Sequence, residues 1–192
     1  MIWSRVSFCE EVQLSNDGKQ RVQGITFDDV MHLLRGRSFA VLSTADNQSR
    51  PHSAGIVYAV APQGADIYVM TRTHLMKARN IISNPNVSLV VPLSRRLLWF
   101  LPPPCIQFQG TAEILDRTHP GGKHAFESFF LGRTILKMYR EFERRGETRV
   151  CFLRIKPGPV VFAYAVGSPI WQLVNRMEGG LVKIDVPAQY RS

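Results

Sequence analysis

The sequence predicts an α+β fold: a mainly antiparallel sheet curled into a barrel, with helices on its flanks. Three observations carry this. Strand-like runs follow one another on turns too short for a parallel crossover. Single amphipathic segments separate the sets of runs. One run, CIQFQGTAEIL at 105–115, alternates cleanly between apolar and polar residues. Six or seven strands of this kind need their edges removed, and closure into a barrel removes them.

The N-terminal arm, 1–25, carries Asn16-Asp17-Gly18, a hairpin signal. TFDDVMHLLRG then reads as a helix. Thr26 caps it, Asp28 and Asp29 suit the positive end of its dipole, and Gly36 stops it. SFAVLSTA (38–45), HSAGIVYAV (52–60) and DIYVMT (66–71) are strands joined by the turns DNQSRP and PQGA. HLMKARNIIS is a second helix, closed by Asn84-Pro85, with Leu75, Ala78 and Ile82 expected to face the core. VSLVV (87–91) is a fourth strand. In the alternating run, Ile106, Phe108, Ala112 and Ile114 share one face. Cys105, Gln107, Gln109, Thr111 and Glu113 share the other. RTHPGGK reads as a surface turn. It leads into one long amphipathic helix from His124 to Arg145, ended by Gly146. RVCFLRIKP (149–157) and VVFAYAV (160–166) are the last two strands, and the tail from 167 has no assignment.

The chain of 192 residues suits a single domain. Its net charge of +9 favours an anionic partner: nucleic acid, a membrane surface or a phosphorylated ligand. No zinc-finger spacing, RNP-like motif or basic zipper is present, so nucleic acid is not the expected partner. Acidic residues interrupt the start before a signal peptide could form, and LLWFLPPPCI is too short to span a bilayer. A cytoplasmic protein without a membrane partner is expected. Cys9, Cys105 and Cys151 are odd in number and far apart, which implies free thiols and no metal site.

The stretch MTRTHLMKARNIISNP carries the chemistry. A helix N-terminus leaves backbone N–H groups unpaired and bears partial positive charge, so a phosphate fits there. Thr71 and Thr73 offer hydroxyls, Arg72 a planar fork, and Lys77 an ammonium that leans back toward the helix start. Thr73, Lys77, Asn80 and Asn84 fall on one helical face. A capped helix with a solvated polar face would account for the same residues.

The ordered pieces resemble the pyridoxamine 5′-phosphate oxidase-like family, the FMN-binding split barrels. They are Ser43-Thr44-Ala45, Arg50-Pro51, a strand ending near Thr71, Lys77 and Asn80, Asn84-Pro85, and Gly110-Thr111-Ala112-Glu113. The best match is the barrel core at 38–116. The segments 94–104 and 122–146 look like additions, and 167–192 is a tail. The resemblance implies a homodimer with FMN, or the related deazaflavin coenzyme, at the subunit interface. It would place the phosphate near Thr71, Arg72, Thr73 and Lys77. The ring would lie against Ser53, Ala54, Gly55 and Ile56, with Gln107 within reach of it. Asn80 belongs to the same motif. The chain departs from the vitamin-forming oxidase at Ala54, Ala59 and Met76, where that enzyme is basic, so pyridoxamine phosphate is not the implied substrate.

The implied function is a flavin-type oxidoreductase passing a hydride or electrons to a small organic substrate. The sequence singles out no catalytic acid or base. A rival reading is a non-catalytic flavin or haem carrier or sensor on the same fold, with His52 or His74 as a haem ligand. A basic nucleic-acid-binding protein is a more distant rival.

Overall fold

A computed structural model of the protein describes residues 25–93, 103–166 and 181–191. The N-terminal hairpin signal, the segment 94–102 and the tail up to residue 180 lie outside the described residues. Helix α1 spans Phe27–Arg35, followed by strands β1 (Phe39–Ala45), β2 (Pro51–Val60) and β3 (Ile67–Arg72). Helix α2 (Met76–Ser83) leads into β4 (Asn86–Pro92) and β5 (Cys105–Asp116). Two helices follow, α3 (Pro120–Glu127) and α4 (Phe130–Arg144), then β6 (Val150–Tyr164) and β7 (Leu181–Asp185).

The strand order is β3-β2-β1-β4-β5-β6-β7, and a β3–β6 pairing closes the first six strands into an antiparallel barrel. This is an α+β split barrel. β6 serves both parts. Its first half pairs with β3 from Val150 to Ile155, and its second half pairs with β7 from Val160 to Tyr164, while β5 runs along its other edge.

Strand alternation fills the barrel. Leu42, Tyr58, Leu89, Phe108, Leu153 and Ile155 point inward and are almost fully buried. Helix α1 packs where β1 begins: Val30 and Leu34 join the core, and the Tyr58 hydroxyl donates to the Leu34 carbonyl at 2.9 Å. Its N-terminus has the capping box expected from Thr26, with Asp29 as the reciprocal partner. Helix α2 packs where β1 ends, through Ala78 and Ile81. A second apolar cluster lies outside the barrel wall. There Ala125, Phe126 and Leu136 of α3 and α4 cover Ala59, Tyr68 and Phe152.

Several expectations are corrected here. The single helix from His124 to Arg145 is two helices, because Phe129 is extended (φ −138°, ψ 156°) and restarts the chain as the N-cap of α4. The turn RTHPGGK ends in helix: Pro120 opens α3, and His119 accepts from the Gly122 amide. Glycine is needed at Gly122, because a Cβ there would lie 2.7 Å from the Phe152 ring. The two closing strands are one strand of 15 residues, and part of the tail forms β7. Ile82 is 71% exposed, and its neighbour Ile81 takes the core position.

Candidate functional site

The corner between β3 and α2 starts from ordinary strand alternation. Thr71 faces inward, is buried, and lies opposite Cys151 in the β3–β6 register. Arg72 therefore faces outward, toward α4. Its guanidinium lies over the Phe142 ring at 4.9 Å, a cation–π contact. Its Nε is buried with no hydrogen-bond partner and stands 3.7 Å from Glu147 Oε2.

Thr73 and His74 belong to a turn before the helix, not to its first turn. The Thr73 amide donates to the Arg149 carbonyl at 2.8 Å, and the Leu75 amide to the Arg72 carbonyl at 3.1 Å. Helix α2 begins at Met76, with Leu75 as an N-cap that makes no side-chain bond and no acidic residue in the first turn. Among the described residues, the amides of Met76 and Lys77 have no acceptor. This is an open helix N-terminus with its donors unspent. Lys77 is half-buried beside it, and burial pulls its pKa below the usual lysine value. The group that acts on it electrostatically is the Cys151 thiol, itself pushed up to about 11 by burial. No carboxylate among the described residues balances the Lys77 charge.

The expected polar helix face does not form. Thr73 precedes the helix, Asn84 is its extended C-cap, and Asn80 is turned inward. The Asn80 side-chain amide donates to Thr44 Oγ1 at 3.0 Å, and Thr44 donates in turn to the His52 carbonyl at 3.4 Å. Asn80 thus ties α2 to the barrel end.

On β2, Ser53 and Gly55 face outward and are exposed, Ala54 is half-buried, and Ile56 is in the core. A ring lying on this strand would meet Ser53 and Gly55, with only the backbone of Ala54 and Ile56. The Ser53 and Ser43 hydroxyls are 2.8 Å apart. A Cβ on Gly55 would come 3.1 Å from the Phe39 ring, so glycine lets that ring lie close against the strand.

Gln107 also faces outward, but it is not beside this patch. The register runs Gly55–Val41–Val90–Gln107, with β1 and β4 between. Three inter-strand steps make roughly 14 Å along the sheet. The sequence placed Gln107 correctly on a polar face; the strand order, which it does not encode locally, moves it away.

A cavity of about 280 Å³ that the sequence reading missed lies under α3 and α4, lined by Met70, Arg117, Lys123, Leu136, Arg140 and Glu143 among others. An Arg117–Glu143 ion pair at 2.7 Å spans part of it. It contains none of the residues expected from the sequence. Its lining comes from separate elements, so no local motif could have announced it. No cluster of His, Cys, Asp or Glu among the described residues could hold a metal ion, and no helix among them is long and apolar enough to cross a membrane.

A family model described as pyridoxamine 5′-phosphate oxidase matches residues 27–158. The chain belongs to the pyridoxamine 5′-phosphate oxidase family. The match spans α1 through most of β6, and so includes the barrel and the β3–α2 corner. Solved structures agree in fold. HutZ of Vibrio cholerae, described as a haem storage protein, is 17% identical with a TM-score of 0.55, over 70% of this chain and 92% of that one. A haem-binding protein of Mycobacterium smegmatis is 13% identical with a TM-score of 0.57, over 79% of this chain and 54% of that one. ChuZ of Campylobacter jejuni is 10% identical with a TM-score of 0.60, over 85% of this chain and 59% of that one. At these identities the likeness is one of fold. No curated protein matches the chain.

Proposed function

We propose that the chain binds a phosphorylated flavin-type cofactor, FMN or the deazaflavin coenzyme, and uses it as an oxidoreductase on a small organic substrate. One observation carries this reading: the open N-terminus of α2 together with a half-buried Lys77 that has no counter-charge among the described residues. A desolvated ammonium beside unspent amide donors is unfavourable alone and favourable with an anion present. The residues fit the group. Lys77 and the Met76 and Lys77 amides would hold the phosphate, with the turn at Thr73 beside them. Arg72 would join once its side chain is released from Glu147. Thr71 supports the corner from inside the wall, and Asn80 positions α2 through Thr44. Ser53 and the exposed backbone at Gly55 would face the ring, with the Phe39 ring beside them. When bound, the flavin supplies the hydride or electron chemistry; the protein binds and orients it.

A homodimer completes this reading. The outer face around Phe39, Val41, Val57 and Val90 is not covered by α3 and α4, and Phe39 is 51% exposed there. A second copy on that face would cover it and enclose the ring. Gln107 would then serve the site across the interface.

Haem is the second reading, a carrier or sensor on the same fold. The observation that favours it is His52, whose Nδ1 is buried without a partner at the mouth of the barrel. Two proteins of this fold are described as storing or binding haem.

The deciding experiment is the absorption spectrum of the protein titrated separately with FMN, deazaflavin and haem. The Lys77→Ala variant is then titrated with FMN and riboflavin. The proposal expects FMN binding to fall about tenfold or more while riboflavin binding is unchanged, since a lost charge-assisted contact acts only on the phosphate. Equal loss for both ligands removes the phosphate assignment, and a Soret band from bound haem with no flavin binding favours the carrier.

A further inference from the structure

Glu147 lies in the turn between α4 and β6, and its carboxylate is already engaged. Oε1 accepts from Arg149 Nε at 2.8 Å and from the Arg149 amide at 3.0 Å, and Oε2 accepts from Arg149 Nη2 at 3.0 Å. These bonds hold the Glu147 carboxyl down at about 2, so it is charged at neutral pH. The same Oε2 stands 3.7 Å from Arg72 Nε, too far for a hydrogen bond but close enough for charge attraction. Phe142 closes one face of the guanidinium, and Nε has no acceptor. Arg72 is therefore held near an anion without being satisfied by it.

We propose that Glu147 sets the affinity and the phosphate selectivity of this corner: its carboxylate holds the anion position beside Arg72, and a phosphate monoester takes that position by displacing it toward Arg149. The inference rests on reading the corner as a phosphate site. Two features make the displacement possible. Glu147 keeps its bidentate partner Arg149 when it leaves Arg72. The Glu147 amide is held by the Phe142 carbonyl at 3.0 Å, so only the side chain has to turn, and beside it nothing lies within 4 Å of where a Cβ on Gly146 would be. Until it moves, the carboxylate repels an approaching dianion. A neutral ligand, or one whose anion sits elsewhere, is unaffected.

The test uses the full chain and two variants. Glu147→Gln removes the charge. Glu147→Asp keeps the charge on a shorter stem and draws it back from Arg72. FMN and riboflavin binding are measured by fluorescence titration, and inorganic phosphate binding by ³¹P line broadening. Expected are about fivefold tighter FMN binding for Glu147→Gln, a gain that shrinks at high salt, and a smaller gain for Glu147→Asp. Riboflavin stays unchanged, phosphate binds more tightly, and Arg72→Ala in the Glu147→Gln background cancels the gain. If the wild-type protein binds FMN and both Glu147 variants bind it equally or more weakly, the inference is overturned while the site reading stands. If no form binds FMN or phosphate, both fall together.

Discussion

The side-chain amide of Asn80 reaches 3.0 Å to Thr44 Oγ1 inside the end of the barrel, and this bond fixes α2 to β1. Asn80 is only 4% exposed, so the bond is not exchanged for water at little cost. Asn80→Ala should destabilise the protein by ~1–3 kcal/mol, the range for losing a buried hydrogen bond. Chemical denaturation of both proteins measures it. Because α2 carries Lys77, cofactor binding should weaken in parallel with the loosened helix. It should recover if Asn80→Asp restores an acceptor-donor pairing to Thr44 at low pH.

Gly132 in α4 allows α3 and α4 to meet at close range. A Cβ there would lie 2.1 Å from the Phe126 carbonyl oxygen and 2.5 Å from the Phe129 ring. Neither the backbone nor a ring wedged against Phe126 can yield cheaply. Gly132→Ala should cost ~1–3 kcal/mol by overpacking, despite the better helix propensity of alanine. The expected result is a lower unfolding midpoint together with faster proteolysis at 128–132, while the barrel core keeps its hydrogen-exchange protection.

What the sequence made legible follows from how local each signal is. Thr26 and Asp29 lie three apart and signal their capping box directly, and the alternation of Ile106 and Phe108 with Gln107 and Gln109 reads as one strand with two faces. The break at Phe129 was hidden because apolar residues continue in helical spacing across it; tertiary packing of Gly132 on Phe126 decides it. Ile81 and Ile82 are adjacent isoleucines, and only where α2 begins determines which one is buried. Arg72 and Lys77 were found as charges. That Arg72 would meet Glu147, 75 residues later, depends on the β3–β6 pairing, which no local pattern reports.

Cys151 is buried opposite Thr71, and burial raises its thiol to about 11 from a reference value of 9.0. At neutral pH it should resist iodoacetamide in the native protein and react promptly once unfolded; mass spectrometric mapping of alkylation against time reads this. The raised value also has a linkage consequence. Between about 9 and 11 the unfolded thiol loses its proton while the native one keeps it, so stability should fall as pH rises through that window. Cys151→Ser keeps a small polar side chain and should flatten that slope.

The outer row Gly55–Val41–Val90–Gln107–Phe162 is the last test, because the proposed dimer needs it covered. Val90 is at its centre, half-buried in the isolated chain and flanked by Val41 and Gln107 on either side. Val90→Glu points a charge outward from the barrel, leaving the interior untouched, so the fold should survive with an unfolding midpoint close to that of the parent. Buried against a second copy, the same charge loses water without a partner, which is costly for an interface. Sedimentation velocity should show a dimer for the parent chain and a monomer for Val90→Glu. Met138→Glu, on the exposed side of α4, should leave the dimer intact. If the dimer encloses the ring and brings in Gln107, Val90→Glu should also lose flavin binding although Lys77 and Arg72 are unchanged. A Val90→Glu protein that remains a dimer would place the interface elsewhere and leave Gln107 roughly 14 Å from the patch it was expected to serve.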